Sequence, residues 1–283
     1  MITPIKNKLT ALGATNIDVI LPCYGVPASV PYSSGYVSMD NVLMGLNYWT
    51  SAGNVSWLTN PYLEPNPTFG SDKGHFDHTY KINSTNMYLV TRLDGPNGVF
   101  GAKNLVDQAL YGERYISPQA GYYNGNAYLD TGGGQPGTGL PYTDAWLAAD
   151  ADVQNGNHGS AASVDKHIAF AERFINNSGF TLKWQNNTDG EAKIIGDLGM
   201  FYSDGSPAQT APRALFYGGW YSFGRYNDVW EWLPGSIGSD LNSDSLSGFR
   251  QDGRFGPSAL ARGCSAFCGV VGEPYTTGQR RAQ

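Results

Sequence analysis

Met87-Tyr-Leu-Val-Thr-Arg-Leu-Asp-Gly-Pro96 is an apolar run that stops at a turn tripeptide, Asp94-Gly95-Pro96. Gly and Pro punctuate such turns, so the run predicts a buried strand ending at Asp94. Ala102 to Leu110 follows with Leu105, Val106, Ala109 and Leu110 at helical spacing, predicting a helix with those residues on one face. Strand, acidic turn, then helix is the unit of an α/β fold with a mainly parallel sheet.

The same pattern recurs in both directions. Ile17 to Cys23 reads as a short strand closing on Tyr24-Gly-Val-Pro, and Asp40 to Trp49 as a helix with Ser38 or Asp40 as its N-cap. Ala127-Tyr-Leu129 runs into Asp130-Thr-Gly-Gly-Gly134. Ser163 to Asn176 carries Val164, Ile168, Ala171 and Ile175 as one stripe, with Gly179 placed to end it. Phe180–Trp184 and Ala214–Tyr217 read as strands, Ile237–Leu246 as a helix, and Ala266–Val271 as a last strand stopping at Gly272-Glu273-Pro274. These elements predict one α/β domain over residues 1–283, a three-layer sandwich. The stretches 50–86 and 112–160 exceed ordinary loop lengths and read as excursions.

Composition narrows the function classes. The 283 residues include 37 Gly and 16 Pro but only 15% charged residues, against roughly 25% in an average soluble domain, so a highly charged disordered chain is excluded. A net charge of -6 leaves no basic footprint for nucleic acid. No apolar stretch reaches the roughly 18 residues of a membrane span. Lys6, Asn7, Lys8 and Asn16 interrupt the apolar runs that a signal peptide would need, so the chain is expected either to be cytosolic or to lack a leader. Four Asn-X-Ser/Thr sites, at Asn54, Asn83, Asn176 and Asn186, are compatible with export and also expected by chance in this composition. Three cysteines leave at least one outside any internal disulfide. Cys264 and Cys268, read as one strand, would lie about 13 Å apart, too far for a bond, and read as small buried hydrophobes.

Three carboxylates close predicted strands: Asp94, Asp130 and Glu273. If those strands are parallel neighbours, the acids gather at one sheet edge and can divide into acid and base or take a hard cation. Asp before Gly is equally an ordinary turn residue. The run Phe216 to Asp228 is the most unusual segment. Its Gly218-Gly219 predicts a sharp turn from which Trp220, Tyr221, Arg225, Tyr226 and Asp228 project to bind a small molecule, peptide or glycan. The alternative is that these aromatics pack inward. His75 and His78 flank Asp77 without a third ligand at a telling spacing; His158 has no nucleophile paired with it, and His167 reads as a helix-face residue. No metal site and no cofactor is assigned, and signatures of serine hydrolases and nucleotide enzymes are absent.

The Thr91-Arg-Leu-Asp-Gly-Pro96 motif, Tyr217 to Asp228 with Trp232-Leu-Pro-Gly-Ser236, and Gly272-Glu-Pro-Tyr275 together resemble an uncharacterised family of bacterial, mostly exported proteins, from about Asp18 to Tyr275. The resemblance implies an extracytoplasmic protein and no particular activity. Family members begin with an additional strand and helix ahead of the Asp18 strand, which implies an edge open to a second copy of the chain. The strand and turn layout is similar to caspase and gingipain cysteine peptidases, in which one strand ends in His-Gly and the next in the catalytic Cys. Here the first position reads Gly219-Trp220, and Cys268 stands well before the end of its strand.

The leading expectation is a hydrolase using Asp94 or Glu273 as base, with Arg92 or Arg225 orienting an anionic group. The rivals are a surface or assembly protein, and a degenerate Cys268 peptidase.

Overall fold

A computed structural model describes residues 2–13, 17, 19–32, 35–48, 88–117, 119, 124–131, 168, 171–172, 175–186, 194–222, 225–251 and 253–269. Glu273, the four histidines, Asn54, Asn83, Gly132–Gly134, residues 50–86 and most of 112–160 lie outside them. The sequence reads as one domain; by internal contacts the chain divides into two compact units, Met1–Asp94 and Gly95–Gln283.

The first unit opens with α1 (Ile2–Ala11), a helix the sequence reading does not assign. Lys6, Asn7 and Lys8 break the apolar runs, yet Ile2, Ile5 and Leu9 keep helical spacing and meet a core of Val30, Met39, Val42, Leu43 and Leu46. The expected strands are short: β1 (Val19–Ile20) pairs in parallel with β4 (Leu89–Val90), and a bridge between Cys23 and Leu93 continues the pairing. Between them lie the antiparallel hairpin β2 (Ser29–Tyr32) and β3 (Gly35–Ser38), α2 (Met39–Met44) and a 3-10 turn at Leu46–Tyr48. The last two overlap the helix expected over Asp40–Trp49, α2 starting one residue earlier at Met39.

The second unit begins with α3 (Gly98–Tyr115), longer than expected and rotated from the expected face. Ala102 is buried, whereas Val106 and Leu110 are exposed. The fold's frame is a five-stranded sheet in the order β6-β5-β7-β8-β9, every neighbouring pair parallel: β5 (Asn126–Thr131), β6 (Thr181–Asn186), β7 (Ala211–Gly219), β8 (Trp230–Asp240) and β9 (Ala266–Cys268). The protein is thus α/β with a mainly parallel sheet.

Alternation along the strands separates two cores. Leu129, Trp184, Trp220 and Leu241 meet Ile168, Ala171 and Ile175, three of the four residues of the expected stripe, all helical. Tyr128, Tyr217 and Trp230 belong to the other core, with Ile194, Ile195, Met200, Tyr202 and Tyr221 and with Phe255 and Ala259 of α4 (Phe255–Ala261).

Two expectations are corrected. Ile237–Leu246 is not a helix: residues 237–240 complete β8, pairing with β7 on one side and β9 on the other. Glycine, serine and β-branched isoleucine have weak helix propensity, and ladder pairing on both sides prevails. Gly218 and Gly219 do not form the turn either; they are the last residues of β7, and the chain leaves the sheet at Trp220.

The outer edge of β6 is met at Trp184 by a turn. The Ser203 N–H donates to the Trp184 carbonyl at 2.7 Å, and Lys183 Nζ reaches Asp204 Oδ2 at 2.6 Å. The turn at 203–206 therefore occupies a backbone position that another strand would need.

Candidate functional site

The carboxyl edge of the five-stranded sheet gathers polar residues that no core of this composition would bury without reason. Gln185 of β6, Asp130 of β5, Gly219 of β7 and Asp240 of β8 stand in one register row. Residues in register on parallel strands share a face, so the two acids flank a glycine, two strand spacings or about 10 Å apart along the backbone. Both are almost fully buried, at 1% and 2% exposure.

Local sequence explains their placement. In β5, Leu129 turns to one core, which leaves Tyr128 and Asp130 on the aromatic side. Gly219 opposite is required by space: a Cβ there would lie 2.3 Å from the Asp130 carbonyl oxygen and 2.6 Å from its Cβ. Tyr217, two residues earlier on the same face, donates its hydroxyl to Asp130 Oδ2 at 3.4 Å. Asp240 Oδ1 accepts from the Tyr221 N–H at 2.9 Å, the Asn242 N–H at 3.3 Å and Asn242 Nδ2 at 3.1 Å. Burial pushes the Tyr217 pKa well up, and the charges of Asp130 and Asp240 push it the same way.

Asp94 and Arg92 belong to the first unit, where Arg92 pairs with both Asp40 and Asp94. Arg92 directs Nε and Nη2 at the two Asp40 oxygens (3.0 and 2.5 Å), Nη1 at the Val26 carbonyl and Asp94 Oδ2 (2.8 and 3.4 Å), and Nη2 also at the Pro27 carbonyl (3.1 Å). Its five donors are committed to the protein, so it cannot also orient an anionic substrate. Asp94 has no exposed side-chain surface.

The aromatic run packs inward, the alternative reading of that segment. Trp220 and Tyr221 are core residues rather than a binding rim, because the chain folds back against the sheet after β7. Tyr221 stacks on Phe255 at 4.0 Å and donates to the Ile195 carbonyl. Tyr226 is half-buried, accepts from Trp232 Nε1 at 3.0 Å and carries Arg262 over its ring. Arg225 is ion-paired with Asp197, and Asp228 with Arg262 at 3.1 Å.

Cys264 and Cys268 lack the depressed pKa of a thiolate nucleophile. Burial pushes Cys264 up to about 12, and desolvation raises the Cys268 thiol as well, the reverse of what a thiolate nucleophile needs. Only Cys264 is a buried residue. The strand starts at Ala266, after Cys264, so the alternation assumed for the pair does not apply.

Comparison with protein-family models, curated proteins and solved structures gives no match.

The chemistry is therefore read from the row itself. Asp240 is the residue that sequence reasoning missed. It is the last residue of β8, as Asp130 is the last but one of β5, and the same rule would find it in Ser236-Ile-Gly-Ser-Asp240 once that segment is read as extended. Among the described residues no three His, Cys, Asp or Glu side chains gather as metal ligands, and no helix is long and apolar enough to cross a membrane.

Proposed function

We propose that this protein is a hydrolase acting on a small polar molecule, peptide or glycan at the carboxyl edge of its five-stranded sheet, with Asp130 and Asp240 as the working acids. The observation that carries this reading is the row Gln185, Asp130, Gly219, Asp240 at the strand ends, the place where open parallel sheets bind ligands. Asp240 is held by three N–H donors and Asp130 by a phenol, so the two occupy unlike environments. A carboxylate pair in unlike environments can divide into acid and base. An extracytoplasmic site of action is supported by the family resemblance of the sequence motifs.

The test is hydrolysis of chromogenic ester, peptide and glycoside panels by the wild-type chain and by Asp130→Asn. The reading expects turnover of one class and its loss, by about a hundredfold or more, in a variant with unchanged circular dichroism. A wild-type chain inert on all three classes sinks it.

A second reading, an assembly protein, draws on Val99, Phe100, Val106 and Leu110, large apolar residues exposed on α3. Light scattering that shows only monomer at high concentration would remove it.

A further inference from the structure

We propose that the exposed face of α3 pairs antiparallel with the same helix of a second copy of the chain, closing a two-fold dimer. The inference rests on the assembly reading above and gives that surface its partner.

α3 meets its own fold along a narrow side. Ala102 is its one buried residue and Gly112 seats it on β8, whereas Val99, Lys103, Val106 and Leu110 are exposed and belong to no core of the protomer. The spacings of those four, which are four, three and four residues, make an apolar seam interrupted by one lysine. Helices pair along such seams, and a lysine at a single seam position fixes the register of the pair.

A two-fold interface must be complementary to itself, and this face is. Val99 and Leu110, 56% and 59% exposed, lie evenly about the point between residues 104 and 105. Lys103 and Asp107, both exposed, are centred on residue 105, and Phe100 (79% exposed) and Tyr111 on the point between 105 and 106. An apolar, a charged and an aromatic pair thus share one centre to within a residue, or about 1.5 Å of helix rise. Turning the helix end for end about that centre sets Val99 against the partner's Leu110, Lys103 against the partner's Asp107 and Phe100 against the partner's Tyr111. At 3.6 residues per turn, Phe100, Lys103, Asp107 and Tyr111 all fall on the same side of the line Val99, Val106, Leu110. An antiparallel two-fold brings like sides together, so these residues meet. The Lys103 stem lies over the partner's Val106 on its way to the carboxylate. Among the described residues no ion pair within the protomer engages Lys103 or Asp107. A parallel pair would instead set each Lys103 beside its own copy in the seam.

Sedimentation velocity of the full chain over a concentration series tests the interface. The wild-type chain is expected to reach a dimer and stop there, because an isologous contact closes. Lys103→Asp and Asp107→Lys each oppose like charges and should weaken dimerisation by about tenfold or more, whereas the double variant, which exchanges the charges, should recover to within about threefold of wild type. An equimolar mixture of the two single variants should form the mixed dimer. Unchanged far-ultraviolet circular dichroism is expected of every variant, since the altered side chains are exposed. A chain that stays monomeric throughout overturns this interface and the assembly reading together. A dimer or larger assembly that is indifferent to the charge reversals, or that the double variant does not restore, overturns the interface and leaves the assembly reading standing.

Discussion

Gly219 shows how closely single residues are fitted at the strand-end row. A methyl group there would meet the backbone of Asp130 rather than a movable side-chain tip, so the strands must separate to admit it. Gly219→Ala is expected to cost about 1–3 kcal/mol or more, measurable as a lower denaturant midpoint at constant slope. Asp197 makes a different prediction. Burial works to raise its pKa but is outweighed by Arg225, Asn227 and the Ile194 N–H, which together hold it below the usual carboxylate value. In the window between its folded and unfolded pKa values the unfolded chain binds the extra proton. The stabilisation is therefore full above the unfolded value, about 3.9, and is lost as the pH falls through the folded one. Asp197→Asn should flatten that part of the acid stability profile and leave its alkaline limb unchanged. Sequence shows the acid near the end of β5 because Ala127-Tyr-Leu129 is visibly strand-like. It does not show that Arg92 is committed to the protein, because that needs Asp40, which stands 52 positions before it.

Secondary structure was legible where one local signal dominated. β5, β6 and β7 combine β-branched, aromatic or apolar runs with clear ends, and all three form where expected. β8 was not, because its Pro234-Gly235 interrupts the pattern and its second half owes its conformation to neighbours on both sides. The rotation of α3 has a similar cause. A Cβ on Gly112 would lie 2.7 Å from the Gly235 Cα, and one on Gly235 2.6 Å from the Gly112 Cα. The helix thus rests on β8 through a glycine, and no hydrophobic periodicity registers a contact made by missing side chains. Gly112→Leu is expected to push α3 from β8 and destabilise the second unit by about 1–3 kcal/mol. Leu110→Lys, on the exposed side of the same helix, should stay within about 0.5 kcal/mol. Equal losses in the two variants would contradict this seating of the helix.

At the scale of the whole molecule, the low proportion of charged residues is matched by a core rich in buried phenols. Burial pushes Tyr128 up to about 12 and moves Tyr202, Tyr217, Tyr221 and Tyr226 higher still. An unfolded chain releases these protons near pH 10, so their contribution is complete below that value and is lost as the pH rises toward the folded values. Absorbance at the tyrosinate band should show at least these five described residues, of 18 tyrosines in the chain, titrating late, in one step with the loss of near-ultraviolet circular dichroism. Five early titrations in a still-folded chain would contradict the packing of this core. The turn that meets β6 at Trp184 bears on storage rather than chemistry. A backbone nick beside Asp204 would strip the Trp184 carbonyl of its Ser203 donor and loosen Lys183, leaving a strand able to template its own kind. Proteolytic ageing at that turn would then appear first as turbidity and thioflavin binding.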